Sequence, residues 1–466
     1  MKKKTKKLLI FIVSINVAAY LFLTYLIIEN DRFDNYKMLV SKDKRELIKK
    51  YFFPYKFISQ QQKKIVDQDN KLKNISMVDW SFVELEKKRK GTEIITDENI
   101  VKLSNNNLLK KYNLTSGFYH GIHNIFPGSG YIDFYEDNII VVSSRGVLAF
   151  KKNIEDIKEN FQQIKNNIND FVGIKQFEKK HWYSIKDIFI FNNQVFISYT
   201  EEIKDDCWNT AIIYGDFNYE NINFKKLFSP IECVHSTDNT DKEFNARQSG
   251  GRIISFDNNH ILLSTGDYRS RYLAQDIKSI NGKIVKVNIS NAKYEIISMG
   301  HRNPQGLYLD KENEFILETE HGPFGGDEIN LIEINKTKGD EIQNFGWPIS
   351  SAGEHYGGKI DANKTKYEKY PLYKSHAKNG FIEPLKSFVP SIGISEIVKI
   401  KENKYVLSST KDKSLYFFKL DKNKQINNLE RIEVFERIRD LKYNNNDGQL
   451  YLFMEDSASI GVINLK

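Results

Sequence analysis

PQGLYLDKENEFILETEHG, residues 304–322, is an apolar strand, a short charged turn and a second apolar strand that runs into a glycine-rich polar loop. Two apolar runs bounded by turn-forming Asp, Asn, Glu and Lys read as a β-hairpin. The unit recurs as IDFYEDNIIVVSS from Ile132, IKDIFIFNNQVFISYT from Ile185, GGRIISFDNNHILLSTGD from Gly250, ISEIVKIKENKYVLSST from Ile394 and IRDLKYNNNDGQLYLFMED from Ile438, six instances in all. Their spacing is irregular and widest between the fourth and fifth, as expected of one scaffold carrying loop insertions. Strand-pair units recurring around a ring describe a propeller, whose blades are four-stranded sheets about a central channel. The expected fold is an all-β, six-bladed β-propeller; an array of β-sandwiches is the other architecture the pattern admits.

In such a ring the loops after the second strands fall on one face. The tails Gly266 and Asp267, Glu320 to Asp327, and Lys411 to Lys413 should therefore converge on one axial pocket. Two stretches flanking the fourth hairpin, GHRNPQG from Gly300 and EHGPFGGDEINLIEI from Glu320, crowd Arg302, Asn303, Gln305, Glu320, His321, Asp327 and Glu328 onto sharply turning backbone. A surface loop has no need of that density of polar groups.

Composition narrows the classes. A chain of 466 residues, 40% hydrophobic and 13% aromatic, can bury a large core and is not disordered. The net charge of +8 comes from 69 Lys and Arg against 61 Asp and Glu, with much of the excess in the first ninety residues. No basic stripe crosses the folded part, so nucleic acid is not an expected partner.

At the amino terminus the basic tail MKKKTKK, residues 1–7, precedes an uncharged and mostly apolar run from Leu8 to Ile28. At ~1.5 Å per helical residue this run matches a hydrocarbon layer of ~30 Å. The exit, TYLIIENDRF, offers no small-residue cleavage site, so the run reads as an uncleaved transmembrane anchor. The positive-inside rule holds the lysines in the cytoplasm. The expectation is a single pass through the inner (cytoplasmic) membrane, with the propeller in the periplasm or extracellular space. A partly helical stalk is expected over residues 29–75 and the propeller over 76–466. Cys207 and Cys233 would then lie in an oxidising compartment that permits pairing; two buried free thiols are the alternative.

GHRNPQG followed by EHGPFGGDEINLI and then NFGWP resembles the soluble glucose dehydrogenase, aldose sugar dehydrogenase and sorbosone dehydrogenase family of quinoproteins, over roughly residues 130 to 466. The resemblance implies a six-bladed propeller that binds pyrroloquinoline quinone (PQQ) and calcium (Ca2+). It implies oxidation of aldose sugars by hydride transfer to the quinone, with a respiratory electron acceptor as a partner. Lys411 in SSTKDK, and Arg437 and Arg439 in ERIRDL, match the family's basic cofactor ligands. Ser391 in VPSIG falls where the family has a hydroxyl on a cofactor carboxylate, and Arg302 and Asn303 where it hydrogen-bonds the quinone oxygens. Such residue types suit a flat tricarboxylate with an ortho-quinone. The implied calcium ligands are the carbonyls of Gly322 and Pro323, the carboxylate of Asp327 and the carbonyl of Phe345, with Glu320 nearby. The alternative is a rigid loop closed by Asp and Glu hydrogen bonds to backbone amides. His301 and His321 are implied to be packing and hydrogen-bonding residues.

One segment departs from the family. Where it places a histidine as general base, this chain reads FNARQSGGRIISF, which puts Arg247 or Gln248 at that position. Neither titrates in the useful range. Asp267 in STGDY matches an acidic residue beside the lost histidine and is the expected substitute base. Two readings follow: a membrane-anchored, PQQ-dependent sugar or alcohol dehydrogenase, or a catalytically impaired propeller that binds a ligand or a protein.

Overall fold

The computed structural model describes residues 97–465 apart from 105, 115–128, 145, 157–160, 173–183 and 339–341, together with Glu93, Ile94 and short helical pieces within residues 11–20 and 50–65. Two compact units result, Met1–Ser76 and Met77–Lys466. In the first, the described pieces are helical and Phe11, Val13, Ile15 and Val17 are exposed. Among the described residues no helix is long and apolar enough to cross a membrane. The basic tail, and most of the span expected over 8–28 and of the stalk over 29–75, lie outside the described residues.

The second unit is a ring of six antiparallel blades, numbered here in chain order. Their innermost strands are Gly130–Tyr135, Ile185–Phe191, Gly250–Asp257, Pro304–Asp310, Ile394–Lys401 and Ile438–Asn444. Each of the six hairpins read from the sequence is the inner strand pair of one blade. Successive inner strands pack side by side, and the sixth returns to the first. Leu108–Asn113 pairs with the carboxy-terminal strand Ser459–Asn464, and Asp97–Lys102 pairs outside it, so both ends of the propeller sequence build blade 6.

Side chains alternate between the faces of a strand, and each inner strand is covered on both faces by neighbouring blades. In blade 2, Val195, Ile197 and Tyr199 pack toward blade 1 while Phe196 packs toward blade 3. In blade 3, Ile261 and Leu263 face blade 2 while Leu262 faces blade 4. This is why the second strands read as continuous apolar runs with no polar alternation. One such apolar cluster fills each of the six blade interfaces.

At the axis the packing turns ionic. Arg252 of blade 3, with its side chain 2% exposed, donates through Nη1 to Asp187 (2.7 Å) and Asp440 (2.9 Å), while its Nε lies 2.6 Å from Glu396 and 3.0 Å from the Gln305 carbonyl. Its guanidinium also lies 5.6 Å from the centre of the Tyr131 ring. These partners come from blades 2, 6, 5, 4 and 1, so one side chain touches the inner strand of every other blade. Cys207 and Cys233 are joined as a disulfide, with Cα atoms 5.3 Å apart; of the two readings of these cysteines, pairing is the one observed.

Candidate active site in the axial cavity

Antiparallel pairing sets the start of each inner strand beside the end of the next, as in Pro304 opposite Glu320 and Ile438 opposite Met454. Both kinds of residue therefore gather at one end of the axis, around a cavity of about 650 Å³. The expected convergence of tails occurs in part: Gly322 to Gly325, Asp327, Thr410 and Lys411 line the cavity, whereas Gly266 and Asp267 do not.

A second device aims side chains into this space. In blades 2, 4 and 6 the pairing register skips one residue near the start of the inner strand, and the skipped residues are Lys186, Gln305 and Arg439. A β-bulge leaves its extra residue unpaired and redirects it. All three line the cavity. Blade 3 has a wider bulge between Gly250 and Ile253, and the φ values of Gly250 and Gly251, 62° and 119°, favour glycine. A Cβ on Gly251 would collide with the Cβ of Lys186, so this glycine makes room for the lysine.

Among the described residues, the cavity wall carries Lys186, Arg247, Arg269, Arg302, Lys411, Arg437 and Arg439 against only two carboxylates, Asp327 and Glu455. Glu455 accepts from Arg439 Nε (2.6 Å), Arg437 Nε (3.0 Å) and Ser129 Oγ (2.8 Å). Burial opposes its ionisation, but Arg439 and Arg437 outweigh burial and hold the carboxyl below its usual range. Lys186 donates to the Ala246 carbonyl at 3.3 Å. Burial, reinforced by Arg439 and Arg247, pushes its amine down to about 7.

Of the residues expected at the site, Arg247, Gln248, Arg302, Asn303, Gly322, Pro323, Asp327, Ser391, Lys411, Arg437 and Arg439 are brought together on the wall. Asp267, Glu320 and Phe345 are not. Asp267 is fully buried behind it, accepting from Trp347 Nε1 (2.8 Å) and from the Arg269 amide (2.8 Å). In the orientation that satisfies its neighbours, the Gln248 amide donates to Asp267 Oδ1 (3.0 Å) and accepts from Arg302 (2.8 Å) and Arg269 (3.1 Å). A carboxylate so surrounded serves as an anchor for the wall.

The calcium set expected from the resemblance is only partly assembled. Glu320 accepts from the Arg302 amide (2.5 Å) and from Asn330 (3.0 Å), and the Phe345 carbonyl is bonded to His376 Nδ1 (2.8 Å), so neither reaches the cavity. The Gly322 carbonyl accepts from Arg302 Nη1 (2.6 Å). Asp327 accepts from the amides of Gly322 (3.1 Å), Gly393 (2.7 Å) and Ile394 (3.1 Å). As it stands, this is the loop closed by its own hydrogen bonds.

Lys186, Arg269 and Glu455 went unread in the sequence, and Gln305 was marked only as one of the crowded polar groups. One signal was available: IKDI at residues 185–188 has the same form as IRDL at 438–441, so Lys186 occupies in its hairpin the place of Arg439.

Fold and site together define a six-bladed propeller with a cationic ligand cavity on its axis. The sequence model of the glucose/sorbosone dehydrogenase family matches residues 183–462, and the chain belongs to that family. It is 26% identical over 294 residues to aldose sugar dehydrogenase YliI of Escherichia coli (strain K12), covering 58% of this chain and 72% of that protein. It is 34% identical over 121 residues to quinoprotein glucose dehydrogenase B of Acinetobacter calcoaceticus, which covers 25% of this chain and 23% of that protein. The crystal structure of the soluble aldose sugar dehydrogenase from Escherichia coli in the apo form shares the fold, with a TM-score of 0.55 at 20% identity over 72% of this chain and 95% of that one.

Proposed function

We propose that the chain is a dehydrogenase that oxidises an aldose, or a related alcohol, with pyrroloquinoline quinone held in the axial cavity. The observation that carries this reading is that, among the described residues, seven cationic side chains stand against two carboxylates around about 650 Å³. A tricarboxylate fits that charge, since arginines bind carboxylates in paired, charge-assisted contacts. Two buried wall atoms without a hydrogen-bond partner, Ser391 Oγ and His321 Nε2, fit a polar ligand in the same space. When bound, the quinone supplies the hydride acceptor.

The chain's own residues supply the rest. Arg437 and Arg439, tethered by Glu455, form one bank of the carboxylate cradle, and Lys411 and Ser391 another. Arg302 and Asn303 stand ready at the quinone oxygens, with Arg302 fixed by the carbonyls of His321 (2.8 Å) and Gly322 (2.6 Å). A general base is needed to take the proton of the substrate hydroxyl. Lys186 is on the cavity wall and Asp267 is not, so we assign that role to Lys186. We extend the proposal to calcium only at the Gly322 and Pro323 carbonyls and Asp327, the part of the expected set on the wall; no step depends on the ion.

A second reading, a ligand-binding propeller without turnover, is favoured by one observation: Arg247 and Gln248, neither of them a base, line the cavity in the segment where the histidine was expected. Titrating the full chain with PQQ, with and without a calcium chelator, and following dye-linked oxidation of aldoses separates these readings. The dehydrogenase reading expects tight PQQ binding, loss of at least about tenfold in affinity in Arg439→Ala, and turnover. Absence of PQQ binding would sink it, binding without turnover on any aldose would favour the second reading, and indifference to the chelator would remove calcium.

We also propose that residues 8–28 anchor the protein in the cytoplasmic membrane, with the propeller outside and a respiratory acceptor taking the electrons. The basic tail, the apolar run and the disulfide support that placement. Membrane fractionation followed by protease protection tests it, and a cytoplasmic propeller would overturn it.

A further inference from the structure

Behind the cavity wall, blade 4 buries acids that the site does not use. Glu318 and Glu320 lie two apart on the strand Phe315–Glu320, so both project to one face, where they are 0% and 3% exposed. His301, fully buried, brings Nδ1 to 3.5 Å from Glu320 Oε1 and 3.7 Å from Glu318 Oε2. Its Nε2 is bonded to Ser298 Oγ at 2.8 Å, while Nδ1 has no hydrogen-bond partner. Glu318 Oε1 has none either. Asn330 Nδ2 braces the pair, donating to Glu318 Oε2 (2.9 Å) and Glu320 Oε1 (3.0 Å). Across the sheet Glu320 is paired directly with Glu328, a like-charge opposition that costs stability. Among the described residues no Lys or Arg side chain forms an ion pair with Glu318 or Glu320, and buried charges require a counter-charge.

We propose that His301, Glu318 and Glu320 bind a divalent cation of the zinc and manganese class. One ligand atom from each lies within 4.8 Å of the others. Atoms bound to a common ion at about 2.0–2.2 Å stand roughly 3–4.4 Å apart, which the two measured separations satisfy. A mixed imidazole and carboxylate set selects Zn2+ or Mn2+ over Ca2+, which takes oxygen alone. The Ser298 contact to the far nitrogen, and the Asn330 amide on the carboxylates, are the outer contacts such ligands need for orientation. Because Glu320 also accepts the Arg302 amide, the ion would stiffen the turn that presents Arg302 and Asn303 to the cavity. The site is distinct from the loop of Gly322, Pro323 and Asp327 and does not depend on the quinone reading.

The ligands are buried, so Mn2+ is best supplied during expression of the full chain. Metal analysis after removal of loosely bound ions should find about one Mn2+ per chain, and electron spin echo spectroscopy should show coupling to one imidazole nitrogen. Glu318→Gln should lower Mn2+ occupancy at least tenfold, whereas Asp327→Asn should leave it unchanged; Zn2+ in the medium should displace Mn2+. The nitrogen coupling is read on the unsubstituted protein, so the test survives a variant that does not fold. Absence of bound Mn2+ and Zn2+, an Mn2+ signal without nitrogen coupling, or occupancy lost in Asp327→Asn and kept in Glu318→Gln would each overturn the assignment.

Discussion

Lys186 is the residue on which the proposed chemistry turns, because its environment works against its own charge. Burial comes first, with Arg439 and Arg247 adding repulsion, and the amine is pushed down to about 7. An amine at that value is substantially neutral at physiological pH and can accept a proton, which a lysine near ~10.4 cannot. In Lys186→Met, kcat for aldose oxidation should fall about 10²-fold or more, and the rise of kcat/KM with pH through about 7 should vanish. A variant that keeps this limb would return the base role to another group. The same substitution has a stability signature of known sign. The folded value lies below the unfolded one, so the charged form is disfavoured on folding. The lysine therefore costs stability below ~10, increasingly as pH falls toward the folded value. Lys186→Met should be more stable than the parent at pH 7 by on the order of 1–3 kcal/mol, a gain that fades above pH ~10 and that thermal melts at the two pH values measure.

The bulges at the heads of the inner strands are the elements that turn a propeller into this site. Without the skipped residue, Lys186, Gln305 and Arg439 would alternate into the blade interfaces with their neighbours. Gly251→Ala tests the coupling between two bulges, since the new Cβ meets Lys186 and the φ of 119° is strained for alanine. The expected loss is about 1–3 kcal/mol of stability, with a fall in turnover comparable to that of Lys186→Met and PQQ affinity changed less than threefold. An equal loss of PQQ affinity would mean that the bulge holds the cradle as a whole. Bulges also mark the limit of what the sequence discloses. The hairpins were legible because strands buried on both faces read as apolar runs between turn residues, and the polar tails because glycine and proline mark them. A one-residue skip leaves no such trace: the lysine of IKDIFIF reads as one polar residue at a strand's edge until its hairpin is aligned with IRDL. Asp267 and Glu320 lie off the cavity wall for the opposite reason. His321 and Arg269, close by in sequence, line the cavity, but these two carboxylates are held behind the wall in networks that include Trp347 and Asn330.

Across the whole molecule, the ring is closed twice, at its rim by amino-terminal strands added to blade 6 and at its axis by Arg252. The second closure is the less obvious. Asp187, Glu396 and Asp440 stand on the inner strands of blades 2, 5 and 6, and each reaches the guanidinium of blade 3. In a buried site such an arrangement is not a large net stabiliser, because the desolvation of four charges offsets their attraction. Removing one partner is another matter. Arg252→Met would leave three carboxylates facing one another, with Lys442 still acting on Asp187 and Glu396. A loss of about 3–5 kcal/mol is expected in urea unfolding followed by tryptophan fluorescence. Burial already holds the carboxyls of Asp187 and Glu396 above their usual range, and without the arginine they rise further, which makes stability fall as pH rises from ~4. The deficit of Arg252→Met relative to the parent should therefore be smaller at pH 5 than at pH 8, and Asp440→Asn in the same chain should recover part of it. Equal deficits at both pH values, with no recovery from the second substitution, would mean that the arginine acts by filling the channel and that charge has little part in holding the six blades to one axis.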